Sequence, residues 1–127
     1  MPHFTVHISE SALDTRTEES LIRGLTDVIG SVYGERFGQL AAVDLIGIPQ
    51  RRRGLAGKPT TRIAPNITLS LREVAYNHPD VPNAPARLIT AITDAVTAAL
   101  GEETREEVTV ALLAVPEGRS GVGGRVA

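Results

Sequence analysis

Leu21-Ile22, Thr26-Asp27 and Gly34-Glu35 are matched, one by one, by Leu88-Ile89, Thr93-Asp94 and Gly101-Glu102. Residues 21 and 88 are 67 positions apart, and the same shift aligns all three pairs. The register then continues without a gap: Val43 falls on Val110, Pro49 on Pro116, Arg52 on Arg119, Gly54 on Gly121 and Gly57 on Gly124. Upstream the shift is 63, and Pro2-His3-Phe4-Thr5 falls on Pro65-Asn66-Ile67-Thr68, with Glu10 on Glu73. An insertion of four residues near Asn77-His78-Pro79-Asp80 accounts for the change of register. Self-similarity of this kind reports one supersecondary unit used twice. Repeat 1 spans residues 2–60, repeat 2 spans 65–127, and together they form a single domain over 1–127.

Each unit reads as strand, helix, strand. Phe4, Val6 and Ile8 alternate with His3, Thr5 and His7, and Ile67, Leu69 and Leu71 alternate with Thr68, Ser70 and Arg72. That period of two belongs to strands with one buried face. Leu21, Leu25, Val28, Ile29 and Val32 then recur at helical spacing, as do Leu88, Ile89, Ile92, Val96 and Leu100. Thr15 and Glu18 have capping-box spacing, Asn83 is placed to cap, Pro85 suits a first turn, and Gly34 and Gly101 suit helix stops. Second strands are expected over 41–48 and 108–115, each followed by a Gly-rich turn. The fold class is therefore α+β in two layers: a four-stranded sheet with two helices on one face and right-handed crossovers. The opposite sheet face needs cover, most simply from other copies of the chain.

Bulk properties narrow the function. A chain of 127 residues buries roughly two thirds of its unfolded surface. Thirteen Lys and Arg against fifteen Asp and Glu leave a net charge of −2, too little to draw the chain to nucleic acid or an anionic membrane. Aromatic residues make up 3% and Trp is absent, which leaves no base-stacking platform. The lack of cysteine removes disulfides, thiolate catalysis and Cys-ligated zinc. No signal peptide pattern and no membrane-spanning apolar run are present, so a cytoplasmic location is expected.

Several motifs carry no chemistry. Gly57-Lys58 hints at a phosphate loop, but its first glycine would fall at Arg52. His3 and His7 share a strand face about 13 Å apart, too far for a common metal ion. They are expected at a subunit interface or in solvent. Asp27 and Asp94 recur in both helices and are read as architectural, and the run Arg51-Arg52-Arg53 is read as a solvated charged loop, the alternative being that it reaches a cleft of its own or a neighbouring subunit. His78, on the insertion, is within reach of a pocket but is read as an exposed loop histidine.

A strand starting directly after Met1-Pro2, followed by helix, strand and Gly-rich turn, resembles the tautomerase superfamily over nearly the whole chain. The double length is similar to the malonate semialdehyde decarboxylase and cis-3-chloroacrylic acid dehalogenase families. Leu25-Thr26-Asp27 with Tyr33-Gly34 looks like the dehalogenase first helix, and Val108-Thr109-Val110-Ala111-Leu112 with the later Gly-Arg ending looks like the decarboxylase. The resemblance implies a homotrimer and a catalytic N-terminal proline, here Pro2 once Met1 is removed. Burial and nearby arginines both disfavour a protonated amine, lowering its pKa toward the range useful for a base. Pro65 is the internal counterpart, an amide nitrogen without basicity. One proline site per chain follows.

The resemblance also implies an arginine for the substrate carboxylate at Arg72, and no cofactor or metal; Arg53 and Arg119, just before the Gly-rich turns, are placed to help it. A bidentate Arg fork fixes a carboxylate in orientation as well as charge. The chain departs from the relatives elsewhere. The 4-oxalocrotonate tautomerase arginines and aromatic residue meet Ser11 or Ala12, Ala42 or Thr109, and Arg53 or Ser120. The dehalogenase histidine, tyrosine and glutamate meet Ile29, Ala111 and Ala114, and the decarboxylase aspartate falls in Gly38-Gln39-Leu40. Loss of those water-activating groups disfavours hydration and dehalogenation. The expectation is a tautomerase moving a proton on a small enol- or oxo-carboxylic acid. Decarboxylation of a small β-oxo acid is the first alternative, and a non-catalytic binding or assembly protein the second.

Overall fold

The computed structural model describes all 127 residues. Strand β1 (His3–Ser9) leads through a single 3-10 turn to helix α1 (Thr15–Tyr33), a short helix α2 (Glu35–Gly38) and strand β2 (Ala42–Ile48). A small hairpin, β3 (Gly54–Leu55) and β4 (Lys58–Pro59), closes the first unit. The second unit repeats the plan with β5 (Asn66–Arg72), a short α3 (Glu73–Tyr76), α4 (Ala84–Leu100), β6 (Thr109–Val115) and the hairpin β7 (Gly121–Val122) and β8 (Arg125–Val126).

The main sheet has the order β2-β1-β5-β6. Within each unit the strands are parallel, as a helical crossover requires. The two units meet antiparallel through β1 and β5, with Val6 opposite Ile67 and His3 opposite Ser70. This arrangement puts the start of β1 beside the end of β5.

The alternating positions read from the sequence form the core. Phe4, Val6 and Ile8 of β1 and Ile67, Leu69 and Leu71 of β5 lie under Leu21, Leu25, Val28 and Ile29 of α1 and Leu88, Ile92 and Val96 of α4. Six of those helix residues are at most 1% exposed, and a leucine buried so fully contributes about 1.5–3 kcal/mol from desolvation alone. The other face of the sheet carries His3, Thr5, His7, Thr68, Ser70 and Arg72, with Ile46 and Leu113 exposed on its edge strands.

Helix ends agree with the reading at the C-terminal side and differ at the N-terminal side. Gly34 and Gly101 adopt φ of 105° and 111° and return their N–H groups to Gly30 and Thr97. A side chain there would strain the backbone. The cap of α1 is Asp14, one residue before the expected Thr15, and its carboxylate accepts the Thr17 N–H at 2.8 Å. A carboxylate is favoured over a hydroxyl because the N-terminal helix dipole attracts negative charge. Those hydrogen bonds hold the Asp14 pKa below its ordinary value. Asn83 occupies the cap position of α4 in a left-handed conformation but makes no side-chain cap bond. Both second strands begin one residue later than expected, because the N–H groups of Ala41 and Val108 still close the preceding turns on Gly38 and Arg105.

Candidate active site

Pro2 is buried, and its carbonyl accepts the Ala42 N–H at 2.9 Å, so the parallel pairing of β1 and β2 holds it in place. Its counterpart Pro65 is held alike by Thr109, at 3.0 Å. Arg72 ends β5 two residues past Ser70, the partner of His3, and so reaches the same end of the sheet as Pro2.

Two clefts meet at this end. The first, about 540 Å³, opens on the helix side between Pro2, Arg72, Tyr33 and the inserted segment, with Ile29, Leu40, Val74 and Val81 among its walls. Nine of its thirteen lining residues are hydrophobic, a composition suited to a small organic ligand held by few polar groups. The second, about 480 Å³, opens on the uncovered sheet face between His3, Asp44, Arg72 and Ser120. Met1 and Arg72 line both. Met1 thus lies where the two clefts adjoin, and removing it would expose the Pro2 nitrogen there.

Local packing explains the walls of the first cleft. Gly38 lies against Gly30, and a Cβ on Gly38 would come within 3.3 Å of the Gly30 backbone. The missing side chain lets α2 fold onto α1, and α2 with the residues after it brings Phe37 and Leu40 to the cleft. Tyr33 donates to the Ala75 carbonyl at 2.9 Å, tying α1 to α3. Tyr76 donates to the carbonyls of Leu69 and Leu113, at 2.9 and 3.0 Å, fixing α3 on β5 and β6. Burial pushes both phenols above their ordinary pKa, with Tyr33 adding to the effect at Tyr76, so both stay protonated donors near neutral pH.

The remaining predicted residues are distributed unevenly. Arg119 follows β6 at the Pro2 end, yet lines neither cleft. Arg53 follows β2 at the opposite end, where it donates to the Ile63 carbonyl at 2.9 Å. Within one chain it is therefore a neighbour of Pro65, because β2 runs parallel to β1 and carries its following turn away from Pro2. His78 does reach the first cleft, with Nδ1 accepting the Asp80 N–H at 3.1 Å. His3 pairs through Nε2 with Asp44, at 2.7 Å, on the uncovered sheet face. Sequence reading missed this pair, since only the β1–β2 register brings residues 3 and 44 together. No three His, Asp or Glu side chains cluster closely enough to hold a metal ion. No helix is long and apolar enough to cross a membrane.

By sequence, no family model and no curated protein matches the chain. Solved structures match it along nearly its whole length. A fused 4-OT described as a wild-type asymmetric trimer is 22% identical, covering 98% of this chain and 95% of its own, with a TM-score of 0.83. A native fused 4-OT is 20% identical, with the same coverages and a TM-score of 0.82. A member of the cis-3-chloroacrylic acid dehalogenase family is 16% identical, covering 98% of this chain and 82% of its own, with a TM-score of 0.74. The tandem repeat, the mixed sheet with its helices on one face and these likenesses agree: the chain has the double-length fold of the tautomerase superfamily.

Proposed function

We propose that the chain is a proline-based tautomerase acting on a small enol- or oxo-carboxylic acid. The observation that carries this reading is the placement of Pro2, buried at the start of β1, in one cleft with Arg72. With Met1 removed, Pro2 presents a secondary amine in a mostly apolar wall. Burial of that kind favours the neutral amine, which can take a proton from an enol hydroxyl or an activated carbon and return it to another carbon. Arg72 would hold the carboxylate and, as the proton leaves, stabilise the enolate charge. The Tyr33 phenol, already engaged with Ala75, serves the wall and not the proton transfer.

The active form is proposed to be a homotrimer. The sheet face without helices, bearing exposed Ile46 and Leu113, supports association, and trimers are described for fused 4-OT structures of the same fold.

Intact mass of untagged protein, followed by NMR of substrate C–H exchange in D2O, tests the reading. Loss of Met1, exchange by the wild type and its loss in Pro2→Ala are expected. Retention of Met1 on most molecules would defeat the mechanism, because the Pro2 nitrogen would be an amide. Carbon dioxide release from a β-oxo acid, without exchange on enol acids, would transfer the assignment to a decarboxylase.

A further inference from the structure

The insertion that breaks the repeat falls on the wall of the Pro2 cleft. The first unit has no equivalent of Asn77-His78-Pro79-Asp80, and in the second this segment brings His78, Asp80 and Val81 to the cleft. Val74 and Ala75 of α3 continue the wall, and Phe37 and Leu40 face it from the first unit. Phe37, Leu40 and Val74 are 51%, 49% and 54% exposed. Their apolar surface is thus still available to a ligand. Charge is unevenly divided across the same cleft. Arg72 is its only guanidinium or ammonium side chain, and Asp80 its only carboxylate.

Resting on the tautomerase reading, we propose that the substrate is a monocarboxylic 2-oxo acid, or its enol, whose apolar substituent lies in this compartment. The carboxylate sits at Arg72 and the tail lies along Leu40, Val74 and Val81. A second carboxylate at the far end would meet the apolar wall and the like charge of Asp80, both of which disfavour it. In the reaction the Pro2 nitrogen takes a C3 proton. The C–H electron pair enters the C2–C3 bond, and the oxo oxygen takes up the charge. The reverse step returns a proton, or in D2O a deuteron, from the Pro2 ammonium to C3. The inserted segment is thus a specificity element present in only one of the two repeats.

Exchange at C3 is followed by NMR in D2O for pyruvate, 2-oxobutanoate, 2-oxohexanoate and 2-oxoglutarate, each divided by its buffer-catalysed rate. The value of kcat/KM is expected to rise on the order of ten-fold from pyruvate to 2-oxohexanoate, with 2-oxoglutarate below 2-oxohexanoate. Val74→Asp should remove most of the gain with chain length, and Asp80→Arg should raise 2-oxoglutarate several-fold at low salt. Sedimentation mass of each variant must equal that of the wild type. A faster rate for 2-oxoglutarate than for 2-oxohexanoate overturns the proposal. So does unchanged selectivity in Val74→Asp, or a change of assembly in that variant as its sole effect. If no acid exchanges, methyl shifts of Ile29, Val74 and Val81 are titrated with hexanoate and glutarate. Shifts with hexanoate alone keep the apolar site and dismiss Pro2 catalysis, whereas no shift with either dismisses the site.

Discussion

The two ends of the sheet are built from equivalent residues and behave differently. At one end Pro2 directly precedes β1, and at the other Pro65 directly precedes β5, each buried and each accepting an N–H from the parallel neighbour strand. The segment entering Pro65 is pinned: Ile63 accepts from Ser9 and Arg53, and the Ala64 N–H donates to the Glu107 carboxylate. The Ile63 side chain also packs against the core. Pro2 is preceded by Met1, 68% exposed, which lies between two clefts. The two similar strand starts thus differ in what precedes them: a packed and hydrogen-bonded segment at Pro65, an exposed residue at Pro2. The arginine at each end follows the same division. Arg53 ties down backbone, and Arg72 projects unpaired beside a cleft.

That contrast can be broken most severely at the prolines. Pro2→Ala should lower exchange activity by about 10²–10⁴-fold, the usual worth of a positioned acid–base group, with thermal unfolding little changed. Pro65→Ala should do the reverse, lowering the unfolding midpoint and leaving kcat near the wild-type value. Equal effects on activity would erase the distinction between the ends.

The core tests whether the halves are mechanically equivalent. Leu25 and Ile92 occupy matched positions, 67 residues apart, and both are fully buried. Leu25→Ala and Ile92→Ala should each cost about 2–5 kcal/mol in denaturant unfolding, with a single cooperative transition in both. Two transitions would mean that the repeats fold separately.

Arginine substitutions sharpen the comparison further. Arg72→Ala should raise KM about 10–100-fold, as expected for loss of a charge-assisted pair worth about 1.5–3 kcal/mol, with unfolding unaffected. Arg53→Ala should leave KM alone and cost about 1 kcal/mol in stability, since it removes one hydrogen bond to the Ile63 carbonyl. A comparable KM change in Arg53→Ala would instead place that side chain at a neighbouring subunit's site.

The smallest effect concerns the helix starts. Asp14 has its pKa lowered in the folded chain, so its contribution is complete above the ordinary value of 3.8 and is lost as pH falls through the depressed one. Asp14→Asn should flatten the acid limb of the stability curve slightly. Asn83→Ala should not alter it, because the α4 cap has no side-chain bond to lose. Urea midpoints measured from pH 5 to pH 2 would read the difference.

Periodicity and repetition made the elements legible. Alternation in 4–8 and 67–71, helical spacing in 21–32 and 88–100, and the paired glycines gave strands, helices and stops, because each depends on neighbours within a few residues. The cap of α1 was misplaced by one residue, since Asp14 and Thr15 are both competent acceptors and helix position chooses between them. The Pro2–Arg72 pair was accessible only through family resemblance. Nothing in the spacing of residues 2 and 72 marks them as neighbours.

By itself, the sequence determined that this protein is one β-α-β unit used twice, with its apolar stripes and an insertion in the second copy. The antiparallel pairing of β1 with β5 decided which ends of the units meet. That pairing brought Arg72 to Pro2, sent Arg53 to Pro65, and set the insertion on the wall of the cleft. Local pattern cannot encode such choices, because they are settled by burying the two apolar faces in one core rather than by any contact within a single unit.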